Sequence, residues 1–140
     1  MKIGTIKEKK KFENRVSITP DEVKNYVKLG HQVTVEKNAG LQSGFSDKSY
    51  KLAGASIASA KEILNNSDII LKINCPTADE AKNLKTNSMV ISQISVQNES
   101  NTIKIFNSKK ISAFSLERVP RITRAQDMDI LSSQANLAGY

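Results

Sequence analysis

Short apolar or alternating runs along the chain are separated by capped, amphipathic segments. The run DIILKIN (Asp68–Asn74) is nearly continuous apolar, which is typical of a central strand buried on both faces. Runs of this kind, or with alternating polarity, predict strands over Lys2–Lys7, His31–Glu36, Asp68–Asn74, Met89–Val96 and Ile111–Leu116. We expect a sheet of about six strands, which is an ordinary sheet size.

Helix-start signals stand between these runs. In the segment TPDE, Thr19 suits an N-cap, Pro20 suits the first helical position, and Glu22 completes a capping box. Gly30 is placed to end that helix. Further helices are predicted to begin after Ser46, Ser59 and Thr77, and over Asn101–Phe106.

The alternation of strands and helices predicts an α/β fold with three layers. Its sheet is expected to be mainly parallel and doubly wound, in the Rossmann or flavodoxin manner, with helices on both faces. With 140 residues, the chain is expected to form a single domain, residues 1–140. It lacks the G-x-G-x-x-G fingerprint of dinucleotide-binding turns, and it lacks a P-loop.

Composition narrows the range of partners. The net charge is +7, but the excess is spread along the chain, and aromatic residues make up 5% with no tryptophan. Because nucleic-acid binders concentrate basic and stacking residues, no nucleic acid is expected as a partner.

One cysteine and one histidine form neither a disulfide within the chain nor a zinc site, so we expect no metal and a reducing compartment. No apolar run approaches the roughly 20 residues of a membrane helix.

Candidate catalytic residues are few. His31 follows a predicted helix end, where a histidine more often interacts with the helix dipole than takes part in catalysis. Arg15 lies in the loop after the first strand, and Lys72 interrupts an apolar strand. Lys72 either emerges at the strand end and reaches water, or lies with Arg15 near the carboxyl ends of parallel strands, where such folds bind ligands.

The last twenty residues, from Arg121 to Tyr140, are unusually polar. Their side chains offer donors and acceptors for a polar ligand, although a solvated helix face has the same composition. The segment ends without a helix-stop signal, and we therefore expect the chain to be a piece of a longer protein.

The segment RVPRITRAQDMDILSSQANLAGY (Arg118–Tyr140) strongly resembles the proton-translocating NAD(P) transhydrogenase alpha subunits. It is similar to the end of the first half of their NAD(H)-binding component. The opening KIGTIKEKKKFENRVSITP and the segment GFSDKSYKLAGA resemble the N-terminal domain that alanine dehydrogenases share with transhydrogenases. In that family a dinucleotide-binding Rossmann domain follows, and it is absent from this sequence.

The resemblance implies roles for individual residues. Arg121, Asp129 and Ser132 match residues that hold the nicotinamide end of NAD(H), chiefly its carboxamide. Gln126 matches a residue that reaches toward the NADP(H) component and helps to align the two rings. In alanine dehydrogenases, the residues that resemble Arg15 and Lys72 hold pyruvate.

The resemblance favours one enzyme over the other. Alanine dehydrogenases carry a catalytic histidine after the strand that resembles Met89–Val96, whereas this sequence has QISVQN there. The expected function is therefore hydride transfer from NADH to NADP⁺, coupled to proton translocation. An alanine dehydrogenase domain and a stand-alone, non-catalytic binding module are the alternatives.

The resemblance also implies partners and a location. The component is expected to be a homodimer that works with NADP(H)-binding and membrane-spanning components. It would lie peripherally on the cytoplasmic side of the bacterial inner membrane, or in the mitochondrial matrix of a eukaryote. The residues 1–140 alone are expected to be inactive and to bind NAD(H) weakly or not at all.

Overall fold

The computed structural model describes residues 1–95 and 97–118. In these ranges, six strands form one sheet: β1 (Lys2–Thr5), β2 (Gln32–Glu36), β3 (Ser56–Ala58), β4 (Ile69–Asn74), β5 (Met89–Gln93) and β6 (Ser112–Ser115). Five α-helices connect them: α1 (Pro20–Lys28), α2 (Asp47–Ala53), α3 (Ala60–Asn66), α4 (Ala78–Lys82) and α5 (Ser100–Ser108). Single turns of 3₁₀ helix lie at Leu41–Ser43 and Leu116–Arg118.

The strands follow the order β3-β2-β1-β4-β5-β6, and every neighbouring pair is parallel. Ile3 of β1 pairs with Val33 on one side and with Ile69 on the other. The winding direction of the sheet therefore reverses between β1 and β4. In doubly wound folds, ligands bind outside the carboxyl ends of the strands at such a reversal.

Helices cover both faces of the sheet, and each face has its own core. On one face, Val23 of α1 and Tyr50 of α2 pack against Val33 and Val35 of β2. On the other face, side chains of β4 and β5 pack against α3, α4 and α5, with Ile63, Leu64, Ile70, Ala81, Val90 and Phe106 all buried. The predicted three-layer α/β fold with a mainly parallel sheet is confirmed.

The local helix signals act as the sequence predicts. Thr19 caps α1: its side chain accepts the Glu22 N–H, and Glu22 Oε2 accepts the Thr19 N–H at 2.9 Å. Thr77 and Glu80 form the same reciprocal box at the start of α4. Gly30, directly after the last turn of α1, has a φ of +90°, a left-handed conformation that glycine adopts without strain.

Three details differ from the prediction. Strand β3 was not predicted, because a three-residue strand carries too short a pattern. Strands β1 and β5 end earlier than predicted, at Thr5 and Gln93. In β4, Ile70 and Lys72 are buried but Ile69, Leu71 and Ile73 are only partly so, because α1 and α2 lie mainly over β2 and β3.

Among the described residues, no helix combines the length and apolar character needed to cross a membrane.

Candidate functional site: a polar cleft at the carboxyl edge of the sheet

A cleft of about 620 Å³ opens at the carboxyl edge of the sheet, where the winding direction reverses. Its walls come from the loop after β1, the end of β4 with the start of α4, and the loop after β5. The polar side chains that line it include Glu8, Lys9, Lys72, Asn74, Thr77, Glu80, Gln93, Ser95, Gln97 and Glu99.

Lys72 lies at the floor of this cleft and is held by two carboxylates. Its Nζ is 3.4 Å from Glu80 Oε1 and 3.8 Å from Glu8 Oε1. All three side chains are at most 4% exposed. The interpretation that Lys72 reaches water at a strand end is therefore wrong, since a buried ammonium needs paired carboxylates and has two.

Backbone groups hold the two carboxylates in place. Glu8 accepts the N–H groups of Ile73 and Asn74, at 3.2 and 2.9 Å, where β4 ends. Glu80 Oε1 accepts the Thr77 N–H at 3.0 Å. Glu80 Oε2 is buried without a hydrogen bond and has the Lys9 ammonium 3.6 Å away. The cluster thus joins the loop after β1 to the end of β4 and to α4.

Arg15 forms a second pair beside the first. Its Nε and Nη2 donate to the two carboxylate oxygens of Glu13, both at 2.8 Å. Asn74 Nδ2 also donates to Glu13 Oε2 at 3.1 Å, and to Glu8 Oε1 at 3.3 Å. The bond from Arg15 outweighs partial burial and lowers the pKa of Glu13 from 4.5 to about 2.

Arg15 and Lys72 therefore lie where the sequence placed them, near the carboxyl ends of the strands. Both line a smaller hollow of about 370 Å³ next to the main cleft. The loop that carries Arg15 is fastened to the sheet, because the Ser17 hydroxyl donates to the Leu71 carbonyl oxygen at 2.8 Å.

Cys75 follows β4 and is partly buried in the cleft wall. Burial, followed by the negative charge of Glu99, raises the pKa of its thiol to about 12. Because the thiolate is the reactive form, this cysteine is not an activated nucleophile.

The loop after β5 closes the far side of the cleft. Ile94 leaves the strand, and its N–H points to the Glu117 carboxylate, whose two oxygens both lie 3.0 Å away. Ser115 Oγ lies 3.0 Å from the Ile94 carbonyl oxygen and also contacts Glu117 Oε1. The end of β5 is thus attached to the 3₁₀ turn that follows β6.

The one histidine of the chain is far from the cleft. His31 directly precedes β2, at the amino edge of the sheet, and its Nδ1 lies 3.2 Å from the N-terminal nitrogen. In the described ranges, no group of three or more His, Cys, Asp or Glu side chains is arranged to hold a metal ion.

The remaining predicted site residues, Arg121, Gln126, Asp129 and Ser132, lie outside the described residues. Three cleft residues were not singled out from the sequence, namely Glu8, Asn74 and Glu80, and neither was Glu13, which pairs with Arg15 beside the cleft. The sequence does mark Glu80 in another way: it stands three residues after the predicted N-cap Thr77, which is the spacing of a capping box.

A family model described as "Alanine dehydrogenase/PNT, N-terminal domain" matches residues 4–138. The chain belongs to this family. In this member of the family, a polar cleft lies at the carboxyl edge of a six-stranded parallel sheet.

Relatives of both enzyme types match nearly the whole chain. "NAD(P) transhydrogenase subunit alpha" of Haemophilus influenzae is 41% identical over 140 residues, which cover 100% of this chain and 27% of the relative. An alanine dehydrogenase of Methanococcus maripaludis is 36% identical over 140 residues, covering 99% of this chain and 37% of the relative.

A solved transhydrogenase structure from Sinorhizobium meliloti superposes on the whole chain with a TM-score of 0.94 and 38% identity. The match covers 42% of that structure's chain. This member of the alanine dehydrogenase/PNT N-terminal domain family thus spans less than half the length of each of these three relatives.

Proposed function

We propose that this chain is the first domain of the NAD(H)-binding component of a proton-translocating NAD(P) transhydrogenase. The complete assembly transfers a hydride from NADH to NADP⁺ and couples the transfer to proton movement across a membrane. The chain contributes one wall of the nicotinamide site, and the whole activity needs the longer protein and its partner components.

The cleft's lack of a histidine carries this proposal. The residues that line the cleft in the loop after β5 are Ile94, Ser95, Gln97 and Glu99, and none of them is a histidine. Oxidation of an amine or alcohol by NAD⁺ needs a general base. Transfer of a hydride between two nicotinamides needs only close approach and alignment, since the cofactors supply the chemistry.

The charges on the cleft floor support the same function. Lys72 is already neutralised by Glu8 and Glu80, and Glu13 bonds the guanidinium of Arg15 with both of its oxygens. An anionic keto acid would compete with these carboxylates for the same cations. A neutral nicotinamide carboxamide, which both donates and accepts hydrogen bonds, would not.

The segment after Arg118 supplies the remaining contacts in this proposal. Arg121, Asp129 and Ser132 hold the carboxamide end of the nicotinamide. Gln126 aligns the ring with that of NADP(H). The pyrophosphate and adenosine need a different domain, because the loop between β1 and α1 runs from Ile6 to Thr19 without a glycine.

The proposed assembly has three kinds of component. The chain forms a homodimer through its longer protein, binds an NADP(H)-binding component, and through it a membrane-spanning one. It works at the cytoplasmic side of a bacterial inner membrane, or in the matrix of a mitochondrion. No metal takes part in this domain's chemistry.

Alanine dehydrogenase is the second candidate, favoured by the 36% identity to the M. maripaludis enzyme. The test uses the full-length protein that contains this chain, mixed with the NADP(H)-binding component. Transfer from NADH to an NADP⁺ analogue with a shifted absorption band is followed in one arm. NAD⁺ reduction by L-alanine is followed in the other. Transfer in the first arm alone supports the proposal, and activity with alanine would contradict it.

A further inference from the structure

Glu117 joins two segments that the sheet itself does not join. Both of its carboxylate oxygens lie 3.0 Å from the Ile94 N–H. Ile94 follows the last residue of β5, and Glu117 lies in the 3₁₀ turn that follows β6. The contact therefore ties the exits of two neighbouring strands together beyond the point where their ladder ends.

The Ile94 backbone depends on this contact for its hydrogen bonds. Ile94 is 2% exposed, so an unpaired N–H there would be costly. Glu117 accepts that N–H, and Ser115 Oγ lies 3.0 Å from the Ile94 carbonyl oxygen. Ser115 also contacts Glu117 Oε1, so its single proton serves either acceptor. The backbone N–H of Ile94 is thus bound by Glu117, and its carbonyl oxygen lies within hydrogen-bond distance of Ser115, the last residue of β6.

Residues next to both partners of this contact line the cleft. On one side, Ile94, Ser95 and Gln97 form its wall. On the other side, Arg118 lines the cleft and is followed in sequence by the segment with Arg121 and Gln126. The position of Arg118 relative to the cleft wall formed after β5 is therefore set by the length of the Glu117 side chain.

We propose that Glu117 is a positioning residue for hydride transfer, which fixes the turn after β6, with Arg118, against the cleft wall formed after β5. This inference rests on the proposed transhydrogenase function. Glu117 touches neither cofactor. It acts through the backbone of Ile94 and through the position of Arg118.

Two conservative substitutions separate the length of the side chain from its hydrogen-bonding capacity. Glu117→Gln keeps an oxygen that accepts the Ile94 N–H at the same reach. Glu117→Asp keeps the charge but is shorter by one carbon–carbon bond, about 1.5 Å. A displacement of about 1 Å between hydride donor and acceptor costs on the order of a hundredfold in rate. We therefore expect Asp to be the more damaging replacement.

Lys109 offers a matched control at the opposite edge of the sheet. Its ammonium donates to the backbone carbonyls of Lys82, the last residue of α4, and of Leu84, the latter at 2.9 Å. Lys109→Ala therefore removes a comparable side-chain-to-backbone attachment far from the cleft. It should lower the melting temperature without changing hydride transfer.

The experiment measures single-turnover hydride transfer, NADH affinity and melting temperature for the full-length protein with its NADP(H)-binding partner. We expect Glu117→Asp to transfer hydride about 10- to 100-fold more slowly, with NADH affinity within about threefold of the parent. Glu117→Gln should stay within about threefold in both quantities. A parent-like rate for Glu117→Asp overturns the inference. The inference is also overturned if Glu117→Asp and Lys109→Ala lose hydride-transfer rate to the same extent for the same decrease in melting temperature. Absence of transfer in the parent instead contradicts the proposed function.

Discussion

Lys72 and Glu80 face each other inside the protein, 3.4 Å apart, and neither side chain is more than 4% exposed. Glu8 completes the group at 3.8 Å from the same ammonium. The buried trio carries two negative charges and one positive charge, and backbone N–H groups bind both carboxylates. Because charges this deep are stable only together, the lysine is first a structural residue of the cleft floor.

Lys72→Met should destabilise the protein by about 3–5 kcal/mol, because it leaves Glu8 without its cation and Glu80 with only the Lys9 ammonium, 3.6 Å away. Urea unfolding followed by circular dichroism measures this free energy. Lys24→Met is the control: Lys24 pairs with Asp21 at 3.8 Å with both side chains largely exposed, so its loss should cost less than about 1 kcal/mol. Similar losses in both variants would contradict the structural role of Lys72.

Glu13 should make the protein sensitive to acid. Its folded pKa of about 2 lies below the ordinary 4.5, so its stabilisation is complete above about pH 4.5 and is lost as the pH falls toward 2. Over that range the unfolding free energy of Glu13→Gln should depend less steeply on pH than that of the parent. The difference in slope is at most about 1.4 kcal/mol per pH unit, the value for one proton.

Urea unfolding at pH values from 6 down to 2.5 tests this expectation. Glu62→Gln, at an exposed position of α3, serves as the control and should give a curve parallel to that of the parent. A Glu13→Gln curve that is also parallel would show that Arg15 does not hold this carboxylate ionised.

Cys75 should react slowly with thiol reagents in the folded protein. Burial raises the pKa of its thiol to about 12, so little thiolate is present at pH 8. It is the single cysteine of the sequence, and a colorimetric disulfide reagent therefore reports on this position alone. We expect labelling at least about tenfold slower than in urea-unfolded protein. Equal labelling rates in folded and unfolded protein would mean that the thiol is exposed and that its pKa is not raised.

Gln126 is proposed to align the two nicotinamide rings. Its amide has no useful pKa, so its contribution is geometric. In the full-length protein, Gln126→Asn should slow single-turnover hydride transfer by up to about a hundredfold while NADH affinity stays the same. Arg121→Ala should weaken NADH binding as well. Transfer at the parent rate by Gln126→Asn would remove Gln126 from this role.

Local signals in the sequence were sufficient for most of the fold. A capping box uses residues three apart, and the spacing predicts three: Thr19 with Glu22 and Thr77 with Glu80 form both bonds, whereas Ser59 only accepts the Glu62 N–H. The apolar run ending at Asn74 also takes the central position that its pattern indicates. The edge strand β3 escaped prediction because three residues cannot display a period.

The cleft was only partly predictable for a different reason. Lys72 stands out because its charge interrupts an apolar strand, and Arg15 because it lies in the loop after the first strand; the structure places both at the expected edge. Their carboxylate partners include Glu8, which is distant from Lys72 in sequence and looks like an ordinary surface glutamate. Only the crossover between β1 and β4 brings such residues together, and one sequence does not reveal that pairing.

The central place of β1 bears on how the chain folds as it is synthesised. β1 is made first, yet its two neighbours are β2 and β4, and the pairing of Ile3 with Ile69 awaits the arrival of β4. Until then β1 has a free edge on the side that later becomes the interior. All strand pairs are parallel and joined through helices, so no hairpin can form early to shelter that edge. Nascent chains stalled before β4 should therefore be the ones that chaperones bind and that aggregate most readily.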